Sequence, residues 1–141
     1  MRKLLIILAI LILAPPAMAQ TMYNFDQKIL AWDAIPSPKN SAGAVIPGTI
    51  KYQVWSKSTV PATTGTKVGG EISAIQLSMT FPAYTEVYPG VQAVFYPTAT
   101  PTVAQTSKIS WSTDAAACAG GVTFGVLYLP VIDAIKNLRM Q

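Results

Sequence analysis

Most apolar residues after position 20 lie in short alternating stretches, and proline or glycine closes nearly every one. Thr49 to Ser58 is the clearest case: Ile50, Tyr52 and Val54 fall on one side of an extended chain, and Lys51, Gln53 and Lys57 on the other. Successive side chains of a strand point to opposite faces, so this stretch predicts a strand with one buried and one wet face. Trp55 is the odd residue, an aromatic in phase with the lysines. Lys28 to Ile35, stopped by Pro36, predicts an earlier strand whose Leu30 and Trp32 share the core face. Glu71 to Phe81 is in phase through Ile75, Leu77, Met79 and Phe81 and stops at Pro82. Val87 to Phe95 sets Val91, Ala93 and Phe95 on one face, and Lys108 to Ser112 and Val122 to Leu129 are further extended pieces. Residues 36–48 and 97–105 read as loops, 62–70 as a loop or short edge strand, and Asp114 to Gly121 as a turn built on small residues. Many short strands with turn signals between them predict an all-β sandwich or barrel.

The first nineteen residues follow a different pattern. Met1-Arg2-Lys3 is a short basic start, Leu4 to Ala14 is unbroken apolar sequence, and Pro15-Pro16 leads into Ala17-Met18-Ala19. A basic start, an apolar centre and small residues three and one before a cut are the marks of a secretory signal peptide. An apolar run of about 11 residues is short of the roughly 20 that span a bilayer. The expectation is therefore residues 1–19 as a signal peptide, a mature chain from Gln20, and a secreted or periplasmic location with no membrane span after cleavage. The leader's design suits a bacterial or bacteriophage-encoded product.

Charge and composition then remove function classes. Two of the ten basic residues leave with the leader, so a net charge of +4 becomes +2. That is too weak and too scattered to predict nucleic-acid binding. With no histidine and one cysteine, Cys118, neither a Ser-His-Asp nor a Cys-His arrangement can form. One Cys is too few for an ordinary zinc site or an internal disulfide. Cys118 reads either as a small buried residue beside Ala115-Ala116-Ala117 or as half of an intermolecular disulfide. Six acids remain (Asp26, Asp33, Glu71, Glu86, Asp114 and Asp133), and no two are spaced as a pair facing one cleft. The reading is a noncatalytic protein with no catalytic residues, cofactor or metal.

Several stretches, in order, resemble a fibronectin type III domain. Leu30-Ala31-Trp32 is similar to the family's Leu-x-Trp, and Ile50-Lys51-Tyr52-Gln53-Val54-Trp55 to its third strand. The stretch from Phe81-Pro82-Ala83-Tyr84-Thr85 to Val91-Gln92-Ala93 matches the family's run from Leu-Pro-Pro-Gly-Thr to Val-x-Ala, and Ser110-Trp111-Ser112 its last-strand opening. The resemblance covers about residues 27–129 and implies an immunoglobulin-like β-sandwich over residues 20–130. Two departures stand out. The family's corner tyrosine falls on Val87, so that corner hydrogen bond is lost or is supplied by Tyr88 through a shift, and Pro89-Gly90 interrupts a central strand, where a bulge is the expected remedy.

The family's first strand is not legible in Thr21 to Asp26. Ala134 to Met140, within a C-terminal segment 131–141, is similar to it instead. Three outcomes stand open: a circularly permuted sandwich in which this segment folds back on its own domain, donation to a neighbouring subunit by way of Ala134, Asn137, Leu138 and Met140, or a frayed tail or short helix. The functional expectation is an exported binding or adhesion module for a protein or carbohydrate at an extracellular surface. Contact would run through Trp55, Lys51 and Lys57, with the loops 36–48 and 96–106 as a weaker second place. The alternative is a self-associating structural subunit.

Overall fold

The computed structural model describes residues 20–58, 64–99 and 103–130; the predicted leader and the segment 131–141 lie outside the described residues. The chain is all-β, two sheets packed as a sandwich. In chain order the strands are β1 (Thr21–Tyr23), β2 (Gln27–Ala31), β3 (Gly48–Lys57), β4 (Thr66–Ile72), β5 (Gln76–Thr80), β6 (Glu86–Pro97), β7 (Gln105–Thr106), β8 (Ser110–Trp111) and β9 (Phe124–Leu127). One sheet runs β1-β9-β6-β3-β4, with β7 and β8 also on β6; among the described residues the other holds β2 and β5. Two short 3-10 turns, Ala115–Ala117 and Ala119–Gly121, precede β9.

The core is where alternation puts it. Val54, Met79, Phe81, Val87 and Val126 are buried together, and Leu30, Trp32, Leu77 and Tyr128 pack against them. The end where β1 crosses to β2 is closed by rings: Phe25 stacks on Tyr23 at 5.7 Å, meets Phe81 edge-on at 5.7 Å, and Tyr23 meets Phe124 edge-on at 6.2 Å. Trp32 packs edge-on against Tyr52 at 5.6 Å toward the opposite end.

Several expectations give way. The stretch Glu71 to Phe81 is two strands, because the chain turns at Ser73-Ala74-Ile75 and leaves Ile75 46 % exposed rather than in the core. The first predicted strand is shorter, ending at Ala31, and the expected loop 97–105 reaches a two-residue strand, β7, at its end. Thr21 to Tyr23, which carries no strand signal, pairs in parallel with β9 from Thr21↔Phe124 to Tyr23↔Val126.

No bulge forms at Pro89-Gly90. The β3–β6 ladder runs without a break from Gly48↔Pro97 to Lys57↔Tyr88. On the other side of β6 the partner changes from β9, at Glu86 and Val87, to β8, at Gly90 and Val91. The Pro89 carbonyl accepts from Ser112 N on that side. In an extended residue N and C=O point the same way, so the absent N–H of Pro89 faces the gap between two partners and costs β3 nothing. The register shift lies instead on β4, between Tyr52↔Ile72 and Val54↔Val68, where Gly69 adopts φ +65°. Gln53, predicted on the wet face, is 3 % exposed there, and its Nε2 donates to the carbonyls of Val54, Val68 and Gly69 at 2.8, 3.4 and 3.3 Å.

Candidate functional site

Odd-numbered residues of β3 point away from the core, so Lys51, Trp55 and Lys57 share the outer face of the larger sheet. The ladder adds their neighbours. Trp55 lies opposite Gly90 on β6 and Lys67 on β4, and Gly90 in turn lies opposite Trp111 on β8. The result is a row, Lys67–Trp55–Gly90–Trp111, running across four strands.

Each lysine of this face lies over an aromatic ring. Lys57 Nζ is 4.5 Å from the Trp111 ring centroid, Lys67 Nζ 5.5 Å from Trp55, and Lys51 Nζ 5.6 Å from Tyr96. A cation over a ring face is attracted by the ring quadrupole, which holds the long lysine stems flat on the sheet. Trp55 is therefore half-buried rather than exposed, and its cation is Lys67, not the Lys51 or Lys57 that the sequence places beside it. Lys67 and Tyr96 are members that alternation within β3 could not find, because cross-strand register alone brings them in.

Gly90 admits the Trp111 ring to the row. A Cβ there would sit 2.5 Å from Trp111 Cε3 and 2.9 Å from Ile109 Cγ2, so the indole occupies the side-chain space that the glycine leaves. Glu71 supplies the carboxylate of this face. Tyr96 Oη donates to Glu71 Oε2 at 2.7 Å, and chiefly this bond, with some burial and the Glu71 charge, raises the Tyr96 pKa above its ordinary value.

The remaining acids have structural partners or stand apart. Glu86 Oε2 accepts from Tyr88 Oη at 2.8 Å. Tyr88 thus bonds a neighbouring carboxylate, and burial first and Glu86 second push its pKa up. Asp114 caps the first 3-10 turn by accepting from Ala116 N at 3.0 Å. Among the described residues no three His, Cys, Asp or Glu side chains gather as a metal site. No described helix is long and apolar enough to cross a membrane. The loops 36–48 and 96–106 do meet at one end, where Thr98 N donates to the Pro47 carbonyl at 3.0 Å. Asn40 Oδ1 accepts from Ala42 N and Ala44 N at 3.0 and 2.9 Å, tightening the first of them.

A second feature lies on the inner side. A half-open cleft of about 560 Å³ is lined by Trp32, Asp33 and Ile35 after β2, by Tyr52, Val91 and Ala93, and by the small residues around Cys118. Cys118 is a half-buried free thiol donating to the Ser112 carbonyl at 3.3 Å, and burial, then the Asp114 charge, raises its pKa. Trp32 Nε1 is buried with no hydrogen-bond partner among the described residues. Comparison with protein-family models, with curated proteins and with solved structures finds no match to this chain.

Proposed function

We propose that this protein is a noncatalytic binding or adhesion module, exported and of the fibronectin type III kind, whose lysine–aromatic face engages an acidic carbohydrate or protein at an extracellular surface. The observation that carries the reading is the set of three lysines, Lys51, Lys57 and Lys67, each held over a ring on one sheet face. Holding the side chains in place before contact lowers the ordering cost of binding. A positive face, with Glu71 as its acid, favours a partner carrying spaced negative charges. In support of the fold assignment, β2 pairs with β5 against a sheet in which β3, β6 and β9 are neighbours, the layout the Leu-x-Trp and Tyr-Gln-Val-Trp motifs imply.

The test is retention of the mature chain on an immobilised sulfated polysaccharide and on its desulfated form across a salt gradient. Sulfate-dependent retention that weakens in the Lys51→Gln, Lys57→Gln, Lys67→Gln triple variant supports the assignment. Equal behaviour of the triple variant and the parent, both folded, refutes this face as the contact surface.

A further inference from the structure

The cleft on the inner side differs from the lysine face in position and in charge. Its volume of about 560 Å³ falls within the roughly 300–1,000 Å³ of small-molecule sites. Trp32, Tyr52, Val91 and Ala93 supply its apolar surface, and the Cys118 thiol lies among them. Tyr52 and Ala93 are buried whereas Asp33 is exposed, which sets an apolar floor beneath a carboxylate at the rim.

Two polar features define what would fit. Tyr52 is 4 % exposed; its hydroxyl accepts from Ile35 N at 3.1 Å, and no described residue takes the proton that it can still donate. Ser107, also in the lining, shows the contrast: its hydroxyl accepts from Ala93 N at 3.0 Å and donates to the Lys108 carbonyl at 2.7 Å, so it is spent. The second feature is the sign of the charge. Asp33 is the one charged side chain among the described lining residues, and Lys108, although it follows Ser107, lies outside that lining. The Cys118 pKa is raised by burial and then by the Asp114 charge, so a second carboxylate acts on the same wall. A buried donor without an acceptor and an acidic rim without a lining cation therefore meet over one apolar floor.

We propose that this cleft binds a small monoamine with an apolar body, its ammonium at Asp33, its body against Trp32 and Tyr52, and an acceptor oxygen at the Tyr52 hydroxyl. A negative rim attracts the cation and repels an anion of the same shape. The two rings add attraction for the charge as well as apolar contact. Asp33 and Ile35, whose N–H marks the hydroxyl, are at most about 7 Å of chain apart. The nitrogen and the oxygen therefore belong at opposite ends of one short body, as in a phenol with an aminoethyl arm.

Cys118 is the chain's single cysteine and lines the cleft, so its rate of alkylation by iodoacetamide reports on occupancy there. Tyramine and phenethylamine at millimolar concentration are expected to slow that rate in the mature chain. Phenethyl alcohol, the same body without the charge, should bind about two- to fivefold more weakly, the range of an exposed ion pair. Hydrocinnamate, with a carboxylate in place of the amine, should give no protection. Asp33→Asn should bring phenethylamine down to the level of the alcohol, whereas Asp26→Asn, before the other end of β2, should not. Tyr52→Phe should remove the advantage of tyramine over phenethylamine, roughly two- to tenfold for a neutral hydrogen bond. Protection by hydrocinnamate equal to that by phenethylamine, or no protection by either amine, would overturn the proposal. So would an unchanged order of ligands in folded D33N, or equal losses in D33N and D26N. If Y52F does not fold, the order of the four probes on the parent and on D33N decides.

Discussion

Gly90→Ala tests the packing of the outer face most directly. Gly90 has no left-handed backbone angle, so what fixes glycine here is space. The added Cβ would stand 2.5 Å from Trp111 Cε3, 2.9 Å from Cδ2 of the same ring and 2.9 Å from Ile109 Cγ2. Ordinary contact begins near 3.4 Å, so the indole must lift by about an ångström, taking Lys57 with it. Overpacking of this kind costs about 1–3 kcal/mol. Displacing the lysine from the ring removes up to about 1 kcal/mol more at a surface site. Against this, alanine restricts the unfolded chain and returns about 0.4–1 kcal/mol. The net expectation is a loss of about 1–3 kcal/mol. At a urea slope of about 2 kcal/mol per molar this lowers the midpoint by roughly 0.5–1.5 M. Tryptophan emission should shift as Trp111 becomes more exposed. Gly70→Ala is the matched control: a Cβ there meets nothing within 4 Å, so it should be neutral or slightly stabilising. If G90A and G70A unfold at the same urea concentration with unchanged emission, the close approach of Trp111 to Gly90 is wrong.

Two further outcomes follow from the core and the tyrosines. Val54→Ala removes about two methylene equivalents from a site 1 % exposed, and with the cavity left behind the cost should be about 2–3 kcal/mol by urea unfolding; a change under about 0.5 kcal/mol would show that the two sheets do not meet there. The raised pKa values of Tyr88 and Tyr96 mean that the folded chain holds these protons more tightly than the unfolded chain, so the stability they contribute is full below pH 10 and is lost as pH rises through 10 and the folded pKa values. Glu71→Gln should bring Tyr96 ionisation to lower pH in an absorbance titration at 295 nm, while an unchanged titration curve would refute the Tyr96–Glu71 hydrogen bond.

Legibility in the sequence tracked how local each cause is. Alternation fixes the faces of β3, because the burial of Tyr52 and Val54 and the placement of half-buried Lys51 on the other face depend on period alone. Gln53 obeys the same period yet is buried, since at the register shift on β4 the Val68 and Gly69 carbonyls come within reach of its amide, which also donates to the Val54 carbonyl. The break between β4 and β5 was hidden by Ile75, which continues the phase of Leu77 and Met79 across a turn without proline or glycine. β1 lacks a strand signature because parallel pairing at a sheet edge asks little of three residues beyond free backbone groups.

The same distinction governs the candidate site. Trp55, Lys51 and Lys57 could be grouped from β3 alone, but which lysine meets which ring is set by register between strands far apart in sequence. Trp111 covers Gly90 because β6 changes partner at Pro89, and Pro89 can sit there because no donor is needed in the gap between β9 and β8. A proline that reads as a fault in a central strand is thus the point at which β8, and with it the indole, is admitted to the sheet. The lysine–aromatic face depends on that substitution of partners: a continuous β9 along β6 would occupy the position of Trp111 and leave Lys57 without that ring.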